Sequence, residues 1–159
     1  MSDAFETIVA SLDYAMSVVT ATAGGERSGC LVGFHMQCSI DPCRWLVCVS
    51  KMNHTVRVAL AAQALAVHVL RDDQRALAEL FGGETDDTVD KFARCAHRAG
   101  PLGTVVLEGC DYFAGRVVAR HDLGDHIGHV IEVAQAQVVH PGRPLRFTDV
   151  RGMKPGHPP

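Results

Sequence analysis

The sequence predicts a mainly β protein, an antiparallel β-barrel with short helices, and three observations carry that prediction. Six or seven short β-prone runs recur along the 159 residues. Most are joined by turns or short helical stretches, the pattern of an antiparallel sheet rather than of parallel strands with long crossovers. No Gly-x-Gly-x-x-Gly follows a strand, so a doubly wound dinucleotide fold has no support.

Taken in order, residues 3–15 read as a helix. Asp3 and Glu6 make a capping box, and Phe5, Ile8, Val9 and Leu12 repeat at helical spacing. MSVVTAT (16–22) is β-rich, and AGGE (23–26) turns the chain. A second extended stretch covers about 28–40 and ends at Asp41-Pro42, where the proline biases its neighbour away from helix. WLVCVS (45–50) is a short buried strand. A short helix then starts near Asn53, with Asn53 or Thr55 as its cap, and runs through TVRVALAAQ. ALAVHVL (64–70) is a strand. DDQRALAELFGG (72–83) is a helix begun by aspartates, ended by glycines and faced by Leu77, Leu80 and Phe81. DDTVDKFA (86–93) adds a helical turn, and GPLG (100–103) is a loop. Two long β-prone stretches, about 104–121 and 126–140, flank DLGD, a hairpin turn. The expected organisation is a single domain over 1–150 followed by a flexible tail, 151–159, rich in Pro and Gly.

Composition narrows the function classes. A net charge of −3 gives no footprint for nucleic acid or an anionic membrane. No run approaches the roughly 20 apolar residues of a membrane span. MSDAFETIVASLDYA lacks the basic region, apolar run and cleavage site of a secretory leader, so a cytoplasmic location is expected. In that setting Cys30, Cys38, Cys43, Cys48, Cys95 and Cys110 are expected to be reduced thiols, and none forms a Cys-x-x-Cys pair. TAGGE lacks the lysine of a phosphate-binding P-loop.

The densest chemistry lies in HDLGDHIGHVIEV (121–133), with three histidines and two aspartates. On a strand, side chains alternate faces, so His126 and His129 point apart and cannot chelate one metal without a bulge. His121 lies across the turn and no further ligand accompanies it. No metal site is expected.

Read in order, MSVVTAT…GGERSG, SIDPCRWLVCVSKMNHT, ALAVHVLRDDQRALAELFGG, DKFA, GPLGTVVLEG and GDHIGHVIEV resemble the flavin-reductase family of FMN-binding split barrels over nearly the whole chain. The resemblance implies an antiparallel six-stranded barrel with small helices. It also implies a homodimer with flavin sites at the subunit interface. Such a protein uses NADH or NADPH to reduce FMN, with FAD as the alternative, and the flavin often diffuses to a flavin-dependent monooxygenase. In this chemistry the cofactor carries the hydride, and the protein supplies binding and orientation.

The same resemblance assigns site residues. Cys30, Leu31, Val32, Gly33 and Phe34 would line the flavin ring. The family's Thr-x-Ser-Ser-like run is here Leu31, Val32, Gly33 and Phe34, so backbone N–H groups would make the polar contacts and Gly33 would permit close approach. Asn53 and Thr55, at a helix start, would meet the flavin phosphate. Lys91 would pair with the phosphate and Phe92 would pack near the ring. Gly124, Asp125 and His126 form the Gly-Asp-His signature associated with nicotinamide binding. Gly124 would permit the turn, Asp125 would fix it, and His126 would be the catalytic residue at the reactive face. Two other readings stand beside this one: a non-catalytic flavin carrier, and a Cys/His metal or haem protein.

Overall fold

The computed structural model describes residues 3–85, 87–139 and 141–156. Among the described residues four α-helices, α1 (Asp3–Ser11), α2 (Thr55–Ala61), α3 (Arg75–Gly83) and α4 (Phe147–Val150), accompany nine strands. The strands are β1 (Ser17–Ala23), β2 (Glu26–Val32), β3 (His35–Ser39), β4 (Arg44–Ser50), β5 (Ala64–Val69), β6 (His97–Ala99), β7 (Val105–Leu107), β8 (Asp111–Asp122) and β9 (His126–Gln137). The protein is thus mainly β with short helices.

Seven strands form one antiparallel sheet in the order β2-β1-β5-β8-β9-β4-β3, and β6 pairs with β7 apart from it. The stretch 28–40 is two strands, β2 and β3, so this sheet has seven strands where the resemblance implies six. The break falls at Gly33-Phe34. A Cβ on Gly33 would stand 2.5 Å from Tyr14 Cε2, so the chain bends beneath that ring. The carbonyl of Phe34 then accepts from Cys48 N at 2.9 Å. The two ends of the sheet are therefore consecutive in the chain. The stretch 104–121 is broken likewise, into β7 and β8.

Two-sided burial explains the apolar run of β1. Val19 and Ala21 join Val47, Val49, Leu65, Val67 and Ile131 on one side. Val18 joins Leu70, Phe81, Phe92, Leu107 and Leu145 on the other. Each large side chain buried this way is worth roughly 1.5–3 kcal/mol. Inside the second cluster two polar side chains act as braces. His68 is fully buried; its Nδ1–H donates to Val18 O at 3.0 Å while Nε2 accepts from Leu107 N at 3.1 Å. Lys91 is 1% exposed and donates to Gly29 O at 3.0 Å, tying the turn at 91–94 to β2.

The two chain ends meet on β1. Met16 N donates to Leu145 O at 2.7 Å and Phe147 N to Tyr14 O at 2.9 Å, so α4 stands beside Tyr14. Residues 151–156, read from sequence as tail, lie along α3: Met153 packs into the second cluster, and Gly156 N donates to Gly82 O at 3.0 Å. Residues 157–159 lie outside the described residues. The helix expected over 3–15 ends at Ser11, and it buries none of its residues. Among the described residues no helix is long and apolar enough to cross a membrane.

Candidate functional site

A cleft of ≈ 220 Å³ opens where the sheet breaks. Its long wall is Cys30, Leu31, Val32, Gly33 and Phe34, with Met16 and Cys48 beneath them. This wall is a sheet edge: β2 pairs with β1 on one side only, so one row of its backbone groups faces away from the ladder. Edge amides can meet the carbonyls and nitrogens of a flat heterocycle without any side-chain hydroxyl. Leu31, Val32 and Phe34 then serve as apolar surface.

Aromatic rings close the other side. Tyr14 stacks on Phe147 with centroids 5.1 Å apart and planes 19° apart. Tyr14 and Phe34 are 6.4 Å apart, and Phe34 and His126 are 5.2 Å apart. Burial, and then the charge of Asp13, push the Tyr14 phenol above its ordinary pKa. Tyr14 therefore stays a neutral hydroxyl at the cleft.

His126 reaches the rim because β9 starts there, opposite Ser50 of β4. The turn before it needs Gly124, whose φ of +107° suits glycine. Gly124 N donates to Asp122 Oδ1 at 3.0 Å, Lys51 Nζ binds the same carboxylate at 2.8 Å, and Lys51 N donates to Asp125 O at 2.9 Å. The His126 Nδ1–H donates to Asp125 Oδ1 at 2.7 Å. That bond holds the Asp125 carboxyl below the usual range. It also leaves Nε2 as the ring nitrogen for a ligand.

Asn53 lines the same cleft. Its Oδ1 accepts from Thr55 N at 2.9 Å and caps α2, which leaves its Nδ2 as a donor. The structure thus brings together Cys30, Leu31, Val32, Gly33, Phe34, Asn53 and His126, with Gly124 and Asp125 in the turn behind them. Thr55, Lys91 and Phe92 are not among the residues lining this cleft. Thr55 is fully buried, with Oγ1 2.8 Å from Ser28 Oγ. Lys91 is the brace described above. Phe92 packs on Phe81 at 5.7 Å and borders a separate recess beside Arg27 and His54. There the Nε2 and Nδ1 of His54 meet Glu26 at 2.8 Å and Asp87 at 2.6 Å. Its pKa is raised, first by the Glu26 bond.

His129 sits opposite Val47, fully buried, with no hydrogen-bond partner for either ring nitrogen in the described residues. Burial pushes its pKa down to about 4. Among the described residues no three His, Cys, Asp or Glu side chains gather as a metal site. Sequence reasoning missed Tyr14, Met16, Cys48, Ser50 and Phe147. Ser50 was the one within reach, as the strand residue that a β4–β9 pairing sets against His126; Phe147 arrives from the far end of the chain.

The flavin reductase like domain matches residues 9–155, and the chain belongs to that family. It is an oxidoreductase of the flavin-reductase type. It is 32% identical over 134 residues to HsaB, the reductase subunit of a flavin-dependent monooxygenase of Mycobacterium tuberculosis, covering 78% of this chain and 70% of that protein. It is 25% identical over 151 residues to a ferric-chelate reductase (NAD(P)H) of Archaeoglobus fulgidus, covering 93% and 89%. The fold is shared with flavin reductase HpaC, solved with NADP+, at a TM-score of 0.79 and 19% identity over 92% of this chain and 93% of that one. It is also shared with an FMN-binding protein of Thermus thermophilus, at 0.75 and 23% over 80% and 71%.

Proposed function

We propose that this protein reduces FMN with NAD(P)H and that the cleft at the sheet break is where it does so. The observation that carries the reading is convergence: the edge run 30–34, Asn53 and His126, distant in sequence, line one slot. FMN supplies the hydride and electron chemistry when bound. The backbone of residues 31–34 holds its ring, and Gly33 keeps the wall thin. Asn53 Nδ2 meets its phosphate end; the first amides of α2 are already taken, Thr55 N by Asn53 Oδ1, Val56 N by Asn53 O and Arg57 N by His54 O. Thr55 and Lys91 act behind this surface, by fixing α2 and β2. His126, aimed by Asp125 on the Gly124 turn, orients the nicotinamide.

The cleft is smaller than the roughly 300–1,000 Å³ common for ligand sites. A second copy of the chain supplies the missing wall, so the working unit is a homodimer. Continuity of β2 with β3 supports a sheet that closes into a six-stranded split barrel, counting those two as one. A flavin-dependent monooxygenase is the consumer of the reduced flavin, as for the HsaB relative. The location is the cytoplasm, where NAD(P)H is available.

Absorbance at 340 nm tests the reading with purified protein, NADH or NADPH, and FMN. FMN-dependent loss of NAD(P)H is expected. Tight FMN binding without turnover would instead make the protein a flavin carrier, and no FMN binding would end both readings.

A further inference from the structure

Beside the cleft lies a second hollow that this reading does not use. It is an apolar groove of ≈ 630 Å³ between α1 and the rim, nearly three times the cleft's ≈ 220 Å³. Phe5 and Val9 of α1 form one side; Tyr14, Phe34 and Phe147 form the other. The last three also line the cleft, so the hollows share a wall of aromatic rings. Two charged side chains stand at the groove, Glu6 and Arg151. The Arg151 guanidinium lies 5.6 Å over the Phe147 ring and gives one N–H to Ala10 O at 3.4 Å. Its other donors are available to a ligand oxygen.

The volume falls in the range of small-molecule sites. Aromatic rings with a guanidinium donor group at the rim suit a planar, uncharged, aromatic-sized molecule bearing a carbonyl oxygen. A planar molecule of that kind one ring away from a hydride-transfer site has an evident role as an electron acceptor. We infer that the groove binds a quinone, and that the protein passes reducing equivalents to it as well as to free flavin. The role as acceptor site rests on the flavin-reductase reading; the binding does not. The reaction balances as NAD(P)H + H+ + quinone → NAD(P)+ + hydroquinone. NAD(P)H loses a hydride, solvent supplies the second proton, and two C=O bonds become C–OH.

The groove divides the exposed face of α1 into residues that line it and residues that do not. Phe5 and Val9 line it; Ile8 and Leu12 are 62% and 54% exposed and are not among its lining residues. That division gives the test. Calorimetric titration of 2-methyl-1,4-naphthoquinone into flavin-free protein should show one saturable site. Val9→Asp should weaken it at least tenfold, and Ile8→Asp should leave it within twofold. With FMN-loaded protein cleared of unbound FMN, half-saturation for quinone-dependent NAD(P)H oxidation should rise in the same ratio in Val9→Asp. The NAD(P)H:FMN rate of that variant should not change. No saturable binding, or equal effects of the two aspartates, would overturn the site. So would a Val9→Asp variant that loses its dimer while keeping its quinone affinity, because the face would then belong to the second copy. Binding without quinone-dependent turnover would overturn the acceptor role. Because the titration contains neither flavin nor nicotinamide, its result is separate from failure of the FMN assay.

Discussion

The cleft rim and the brace behind it use the same kinds of residue for opposite ends. At the rim, His126 spends one ring nitrogen on Asp125 and keeps the other, and Asn53 spends its oxygen on Thr55 N and keeps its amide nitrogen. In the brace, His68 spends both nitrogens on backbone groups, Lys91 gives its ammonium to carbonyls of β2 and α3, and the Thr55 hydroxyl is taken by Ser28. Polarity alone does not separate binding from structure. A hydrogen-bonding atom left over at the cleft does, whereas the unpartnered nitrogens of His129 are shut inside the sheet.

Lys91 offers the largest test of that division. Lys91→Ala removes a buried side chain and strands carbonyls it had satisfied, so stability should fall by about 2–4 kcal/mol. Urea denaturation followed by fluorescence measures this. A variant that kept its stability but bound FMN, and not riboflavin, more weakly would move Lys91 from the brace to the site.

The buried histidines predict a pH dependence. His68 and His129 are both held near 4 by burial, against 6.5 in the unfolded chain. Between those values the unfolded state carries more protons, so stability rises with pH across the window and is lost as pH falls. His68 alone should account for about 3 kcal/mol by pH 4. Protonation would also cost it the bond from Leu107 N. His129 has no such bond to lose. His129→Leu should therefore leave stability at pH 7 unchanged or raised by about 1 kcal/mol, and should flatten the acid slope. Denaturant midpoints at pH 7, 6 and 5 decide it; an unchanged slope would place the titration elsewhere.

Within β9 the division becomes a comparison three residues wide. His126→Ala should keep FMN bound and the fold intact but slow hydride transfer from NAD(P)H by at least about tenfold, since an orienting contact is lost. His129→Ala should change that rate less than twofold. Stopped-flow reduction of bound FMN reads both, and equal rates would remove His126 from the site.

Much of this was legible in the sequence, and the limits have a physical pattern. The Gly-Asp-His turn could be read because its chemistry is local: Gly124 needs its positive φ, and the next two residues bond each other. The two long hairpin strands were legible from their β-prone composition on either side of DLGD. The break at Gly33 was not, since it depends on where the Tyr14 ring comes to rest. Lys91 misled for a related reason. A sequence shows a cation beside an aspartate, but not that Gly29 O and Phe81 O need a donor once β2 and α3 have packed.

Asn53 carries the smallest expected effect and the finest discrimination, because it works on both sides of the division. Its Oδ1 caps α2 through Thr55 N, and its Nδ2 is the donor left over, the one proposed above for the phosphate. Asn53→Ala would lose both, at a cost of about 1 kcal/mol to stability from the cap alone. Asn53→Asp keeps the capping oxygen and exchanges the donor for a charged acceptor, so it isolates the second role. FMN affinity should fall by about 1 kcal/mol, roughly fivefold, because a hydrogen bond is replaced by like-charge repulsion at an open, solvent-screened cleft. Riboflavin carries no phosphate and should bind within twofold of the parent. Thr55→Ala, whose hydroxyl is turned inward to Ser28, should weaken both ligands alike. Fluorescence quenching titrations of the two flavins measure all three variants. If Asn53→Asp weakened riboflavin as much as FMN, Asn53 would belong with Thr55 as part of the frame, and the phosphate would have to be met elsewhere along the cleft.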